Sequence, residues 1–328
     1  MGEKFVMLAS RTFWVMCGAI LLMCGLFSVG ASIGQDSQIS IPQDSRGNVI
    51  RSGVGDAAAH QIKGWILEWL PRGASATVAF RTLDGKAKYF YDGDLPFPAA
   101  GTIRLPVMIE LFRQVHEGRL QLADPLFVHN EFYSVFDSSR FQLYPEEDSE
   151  TDLYKAEGQT RTIGEICELM IRANSKLATN LLIRKLELEN IQATVHSLNA
   201  DNVHIVRSFG DDEALTDEHL NNFMTARALQ ELMTAIAEDK AVGQDSSAAM
   251  VEMLEHQHLN EGISAGVRPE TRVAHQTGQV PNIKLYIDAA IVYAPRPFVL
   301  VIRTLQIPEK DCATLMADIT RILYQAVE

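Results

Sequence analysis

The sequence predicts an α/β protein of the α+β type. A mixed, mostly antiparallel sheet is formed by both chain ends and flanked by helices, with an all-helical domain inserted between its halves. Three observations predict it. Two β-rich runs lie near residues 76–91, three more lie after residue 270, and helical apolar periods dominate from about 102 to 260. Strands grouped apart from helices point to this class rather than to alternating βαβ units. With 328 residues, 47% of them apolar, the chain can bury a sizeable core as one large domain or two intimate ones.

Each element follows from its residues. Lys4 and Arg11 precede the uncharged apolar run 13–29, and Val29-Gly30-Ala31 offers small residues for cleavage. Residues 1–31 therefore read as an export signal, cleaved or kept as an N-terminal anchor, which places the protein in the periplasm or outside the cell. Any membrane contact would run through residues 13–29. Residues 32–55 are rich in Ser, Gly, Gln and Asp and read as a linker. Ile62, Ile66 and Trp69 recur at helical spacing within 56–69. Asp84-Gly85 between two β-rich runs is a hairpin signal. Leu105, Met108, Leu111, Phe112 and Val115 share one face of the next helix. Further helical patterns cover 162–186, broken near Asn174, and then 221–239 and 246–258. An acidic and aromatic loop, 130–160, interrupts them. Three strands, separated by Pro, Gly or Asn, and an amphipathic helix end the chain. The implied domains are 56–100 with 261–328 (α/β) and 101–260 (helical).

Charge narrows the function. A formal net charge of −13 repels phosphate backbones, so nucleic acid is not an expected partner. Cys17 and Cys24 fall in the signal, which leaves Cys167 and Cys312, both in helical patterns and read as buried thiols. His256 and His258 stand two apart at a helix end and point in different directions, so no metal or other cofactor is expected. Gly262-Ile263-Ser264-Ala265-Gly266 has the Gly-x-Ser-x-Gly spacing, but a helix precedes it where a nucleophile elbow needs a strand. Ser138 and Ser139 read as loop residues. Phe132, Tyr133, Phe136, Phe141 and Tyr144 either line a cleft or anchor their loop.

Several ordered landmarks carry a family resemblance. They are "FPAAGTIRLPVMIELF" (97–112), "MIRANSKLATNLLI" (170–183), "LNNFMTARAL" (220–229), "VAHQTGQV" (273–280) and the two strands after it. Their order and spacing resemble the class A β-lactamases and their relatives among the penicillin-recognising serine hydrolases. The resemblance implies a β-lactamase/transpeptidase-like fold with three motifs around one cleft. In the first motif the nucleophile position is Gly101 and the lysine position is Arg104. In the second, the Ser-Asp-Asn positions are Asn174, Ser175 and Lys176. In the third, Gln276 replaces lysine while Thr277 and Gly278 remain.

Acyl transfer needs a hydroxyl activated by a neighbouring base. Gly101 has no side chain, and a guanidinium with a pKa above about 12 cannot accept a proton at neutral pH. No Ser in the chain is followed three positions later by Lys. Asp217, four residues before Asn221, is a weak candidate for the family's water-activating carboxylate, since acidic residues are common before helices. The resemblance would place an oxyanion hole at the backbone N–H groups of Gly101 and Gln279. Arg104 and Lys176 would either hold a carboxylate or pair with nearby Glu. The sequence therefore reads as a catalytically inactive pseudoenzyme with a cleft. Gly101, Arg104, Asn174, Lys176, Thr277, Gly278 and Gln279 would line it, and a cell-wall peptide, a β-lactam-like small molecule or a protein partner would fill it. The alternatives are a hydrolase using non-standard residues and an interaction protein without a ligand site.

Overall fold

Val49–Ser52 (β1) is the edge strand of the central sheet. Next come Asp56–Trp69 (α1), Ser75–Thr82 (β2), Lys88–Tyr91 (β3) and the two-residue strand Phe97–Pro98 (β4). The computed structural model describes residues 49–69 and 73–328. The expected signal, with Cys17 and Cys24, and most of the expected linker lie outside the described residues. The end of that linker is not a linker. "VIRS" carries two β-branched residues and pairs antiparallel with β3, Val49 opposite Tyr91.

The inserted block holds Arg104–His116 (α2), Pro125–Phe127 (β5), Phe132–Tyr133 (β6), Arg140–Phe141 (β7), Thr160–Thr162 (β8), Ile163–Arg172 (α3), Lys176–Leu186 (α4), Leu188–Ser197 (α5), Val203–His204 (β9), Phe223–Met224 (β10), Ala226–Ala237 (α6) and Gln244–Glu255 (α7). It is mainly helical, but the expected all-helical block is corrected by three small sheets: β4-β10-β9, β5-β8 and β6-β7. Segments this short have no period to read, so their pairing is set by tertiary contact. The chain closes with Val273–Val280 (β11), Leu285–Val292 (β12), Phe298–Leu305 (β13) and Glu309–Val327 (α8).

The main sheet runs β1-β3-β2-β13-β12-β11, so both chain ends build it. Every pairing in it among the described residues is antiparallel. The expected mixture of directions is thus not seen there. Tight reversals such as Asp84-Gly85 need no crossover. Gly85 takes the left-handed conformation (φ +70°), and Asp84 fixes the turn by accepting from Thr82 Oγ1 and Lys86 N.

β13 is buried at every residue because both of its faces are covered. Phe298, Leu300 and Ile302 enter a core with Ile62 and Ile66 of α1 and Leu315, Ile319 and Leu323 of α8. Val299, Val301 and Leu305 enter the other core, with α2, α4 and α6. The strand period of two therefore feeds two cores from one sheet. α2 lies deep in the second core, with Arg104 to Phe112 buried throughout. Its N-terminus and the edge strand β11 meet at the motif region.

Candidate functional site

The first motif is held by a small sheet and a tight turn. β4 pairs with β10, and Ala99 N donates to Asn222 O at 3.1 Å. The chain then enters the 3-10 turn Ala100–Ile103, which runs into α2. Ala100 is left-handed at φ +45°, a conformation costing an L-residue about 1–2 kcal/mol. Thr102 Oγ1 donates back to Ala99 O at 2.5 Å and helps hold it there.

Arg104 is 4% exposed, and its guanidinium points at neutral oxygens. It donates to Thr179 Oγ1 at 3.1 Å, to Gly101 O at 3.2 Å and to Asn174 O. Its plane lies 5.0 Å from the Phe209 ring centre. Asn180 fixes that ring's backbone from α4, donating to Phe209 O at 2.8 Å and accepting from Phe209 N at 2.9 Å. Burial pushes the Arg104 pKa down to about 10, and the Asp148 charge opposes the shift. The group stays protonated at neutral pH, so it is a clamp and not a base.

Asn174 is the hub of the second motif. It sits between α3 and α4 at φ +55°, a region that Asn tolerates. Its Nδ2 donates to Thr277 Oγ1 at 3.1 Å, and its Oδ1 accepts from Gln276 Nε2 at 2.7 Å and Gln257 Nε2 at 3.5 Å. Gln276 is fully buried, and its Oε1 has no partner among the described residues. Ser175 caps α4 by accepting from Ala178 N at 3.1 Å. Asp148 adds a second cap from the neighbouring loop, accepting from Lys176 N and Leu177 N at 2.9 Å each. The Lys176 ammonium has no ion pair among the described residues. Neither Arg104 nor Lys176 pairs with a Glu, so the expected pairing is replaced by carbonyl and hydroxyl acceptors around Arg104.

The seam between the first and third motifs is closed. A methyl on Gly101 would lie 2.5 Å from Arg104 Nη1, 2.8 Å from Thr277 O and 3.0 Å from Gly278 Cα. A methyl on Gly278 would lie 3.0 Å from Gly101 N and 3.1 Å from Thr102 N. Side-chain carbon at either glycine does not fit between these backbones unless they move apart. The first and third motifs thus meet backbone to backbone at Gly101 and Gly278, and Gln279 is exposed to solvent. Asp217 lies elsewhere in role. It accepts from His219 N at 2.9 Å and caps its own short turn, Glu218–Leu220.

The structure places Gly101, Arg104, Asn174, Gln276, Thr277 and Gly278 in mutual contact. The sequence reading missed Asp148, Phe209 and Gln257, which complete the network from three different loops. No spacing rule links them to the motifs. Thr179-Asn180 was the available signal, because two polar residues on the buried face of an apolar helix need partners.

The remaining candidates are structural. Ile263–Gly266, capped by Gly262, forms a 3-10 turn whose Ile263 N donates to Asp288 Oδ2 at 2.8 Å. His275 lies between Asp288 Oδ1 (2.9 Å) and Asn260 Oδ1 (3.0 Å), and Asn260 Nδ2 donates to Gln257 O at 3.1 Å. A buried polar chain thus reaches Asn174 through Gln257. His256 is the C-terminal cap residue of α7. Cys167 and Cys312 are free and buried. Phe132 is buried and Phe141 packs on it, whereas Tyr133, Phe136 and Tyr144 are exposed.

The fold recurs in solved structures. The chain is similar to PBP-A (TM-score 0.70, 23% identity, 85% of this chain and 99% of that one covered). It is similar to a β-lactamase from Sphaerobacter thermophilus (TM-score 0.66, 22% identity, 82% and 95% covered). A third similar structure is a β-lactamase from Chitinophaga pinensis (TM-score 0.70, 16% identity, 83% and 100% covered). These identities speak to fold alone. A comparison with curated protein sequences gives no match. At the level of sequence families, a model described as the β-lactamase enzyme family matches residues 58–327. Since that match spans most of the chain, and the six-stranded sheet and helical block it covers agree with those folds, this protein belongs to the β-lactamase enzyme family.

Proposed function

We propose that this chain is an exported, catalytically inactive member of its family that works by binding rather than by hydrolysis. The observation that carries the reading is Gly101. The nucleophile position lacks an oxygen, and Thr277 O and Gly278 Cα leave no space for one. The only cation at the base position is a buried guanidinium, protonated at neutral pH and spent on three oxygens. Removing one member of a serine-hydrolase site costs several orders of magnitude in rate. Here the nucleophile, the base and both auxiliary motifs differ together. Export rests on Lys4, Arg11 and the apolar run 13–29.

The test is direct. Purified protein is given a chromogenic cephalosporin and, separately, a fluorescent penicillin that reports acylation on a denaturing gel. No turnover and no labelled band are expected. A turnover rate above buffer, or a covalent band, overturns the reading. Subcellular fractionation of the producing cell, with N-terminal sequencing of the product, checks export; recovery in the cytosolic fraction overturns that part.

A further inference from the structure

A second concave surface lies at the start of β11, away from the motif residues. Arg272 stands just before β11 and Tyr293 just after β12, and Tyr293 N donates to Arg272 O at 3.0 Å. From Arg272 the extended chain runs about 17 Å to Thr277. Here the end of α6 and one side of α7 enclose, with Arg272 and Tyr293, a cavity of about 410 Å³. Sites for small molecules commonly measure about 300–1,000 Å³. Ser247, Val251, Glu252 and Glu255 recur at helical spacing, so α7 turns a single side toward the cavity.

The charge of this cavity is unbalanced. Its one cation, Arg272, donates from Nη2 to Glu255 Oε1 at 2.5 Å and lies 4.7 Å from the Tyr293 ring centre. The other two carboxylates in the wall, Asp239 and Glu252, have no side-chain hydrogen bond or ion pair among the described residues. Lys240, beside Asp239, is held by Glu238 at 2.5 Å. Position adds to the imbalance. Asp239 sits just beyond α6, left-handed at φ +59°, and Glu255 ends α7. Helix C-termini favour cations, yet neither helix has a basic residue in its last turn. Burial raises the Tyr293 pKa, Arg272 opposes the rise, and Glu255 and Asp239 add to it, so the phenol stands in the field of both carboxylates. Ser247 is 1% exposed, and its Oγ has no partner among the described residues. The wall thus holds polar groups that the protein's own residues leave unmatched.

The rest of the wall selects the kind of cation. A hard metal ion needs several converging oxygens. Among the described residues no group of three or more His, Cys, Asp and Glu converges for one. Ile236, Ala237 and Val251 instead add an apolar lining that suits a hydrocarbon stem. We infer that this cavity is a binding site for a small aliphatic amine, with its ammonium held by Asp239 and Glu252 and its stem against α6 and α7. The site shares no residue with the three motifs, so it stands whether or not the motif region hydrolyses a substrate.

The probe is 1,5-diaminopentane, titrated into the full chain by calorimetry, with 1,5-pentanediol as a neutral control of the same length. Saturable one-site binding of the diamine alone is expected, with a Kd of about 1 mM or tighter for a ligand of so few atoms. Affinity should fall at least about tenfold in Asp239→Asn/Glu252→Gln, which removes the charge-assisted hydrogen bonds. The Tm of that variant should match the parent's, because both residues are exposed. Glu189→Gln/Glu218→Gln removes the same charge from exposed positions outside the walls and should bind as the parent does. Ala248→Phe fills the cavity from an exposed position in its wall and should abolish binding with both carboxylates kept. Absence of saturation, equal binding of the diol, or unchanged affinity in either cavity variant would overturn the inference. So would equal weakening in Glu189→Gln/Glu218→Gln, which would mean attraction to net charge alone. Displacement of the diamine by magnesium at matched ionic strength would mark a metal site instead and overturn it too. Penicillin labelling of the same sample reports separately on the inactive reading.

Discussion

At the scale of single residues, Gly101 and Arg104 are one structural unit. The guanidinium occupies the space beside Gly101 and bonds its carbonyl, so a side chain at position 101 must compete with Arg104 for the same space. Gly101→Ser pushes its Cβ against Thr277 O and Gly278 Cα, which are backbone atoms and yield poorly. Overpacking of this kind costs about 1–3 kcal/mol. The variant should melt several degrees lower and still take no penicillin label. Adding Arg104→Lys relieves part of the crowding but leaves Asn174 and Gln276 in place of a proton relay and a cation, so the double variant should also stay unlabelled. A covalent adduct in either variant, read by intact mass, would show that the seam opens. The two buried thiols make a pH prediction at the same scale. Burial pushes both Cys167 and Cys312 up to about 12, against about 8.5 for a free thiol. From about pH 8.5 to 12 the unfolded chain has released these protons and the folded chain has not, so stability falls as pH rises through that window. Cys167→Ala should flatten the slope of stability against pH between about 9 and 11, measured by urea unfolding. An unchanged slope would mean that the thiol ionises while folded.

At the scale of elements, the N-terminus of α4 is the joint that holds the second motif. Ser175 caps it in the ordinary way, and Asp148 supplies a charge-assisted cap from another loop. Asp148 also accepts from Tyr154 OH at 2.8 Å. Asp148→Ala should cost about 1–2 kcal/mol, the range for loss of a helix cap, and Asp148→Asn clearly less. Thermal denaturation checks the order; equal losses would mean that a neutral acceptor keeps nothing of the cap, and an unchanged Tm in Asp148→Asn would mean that the charge adds nothing. Long periodic elements such as these were legible beforehand. α1, α2, α8 and β11 to β13 announce themselves through apolar spacing, and the Asp84-Gly85 turn through its chemistry. The strand Val49–Ser52 was hidden inside a polar stretch, because an edge strand gains its hydrogen bonds from a neighbour and needs no apolar face of its own. The two-residue strands β4, β9 and β10 were invisible for the same reason. In the site, the motif positions could be aligned by order. Phe209 beneath Arg104 and Asp148 at α4 could not, since each reaches the cluster by tertiary folding of a separate loop.

At the scale of the whole molecule, the sheet is a shared wall and the helical block is not self-sufficient. Ile287, Ile291, Val299, Val301 and Leu305 belong to the same core as α2, α4 and α6. Burying a large apolar side chain contributes about 1.5–3 kcal/mol. Five of them therefore supply on the order of 10 kcal/mol, comparable to the whole stability of a typical domain at about 5–15 kcal/mol. A fragment of residues 101–260 loses that wall and exposes the faces of α6 and α7 that meet it. It should be unfolded or molten, with weak near-ultraviolet circular dichroism and strong dye binding to exposed apolar surface. The full chain should instead unfold in one transition, because the second core, with Ile62, Ile66 and α8, closes on the opposite face of the same strands. Coincident near- and far-ultraviolet melting curves would support that coupling. Two separated transitions, or a 101–260 fragment with a sharp melt of its own, would show that the helices carry an independent core and that the motif seam can part without unfolding the sheet.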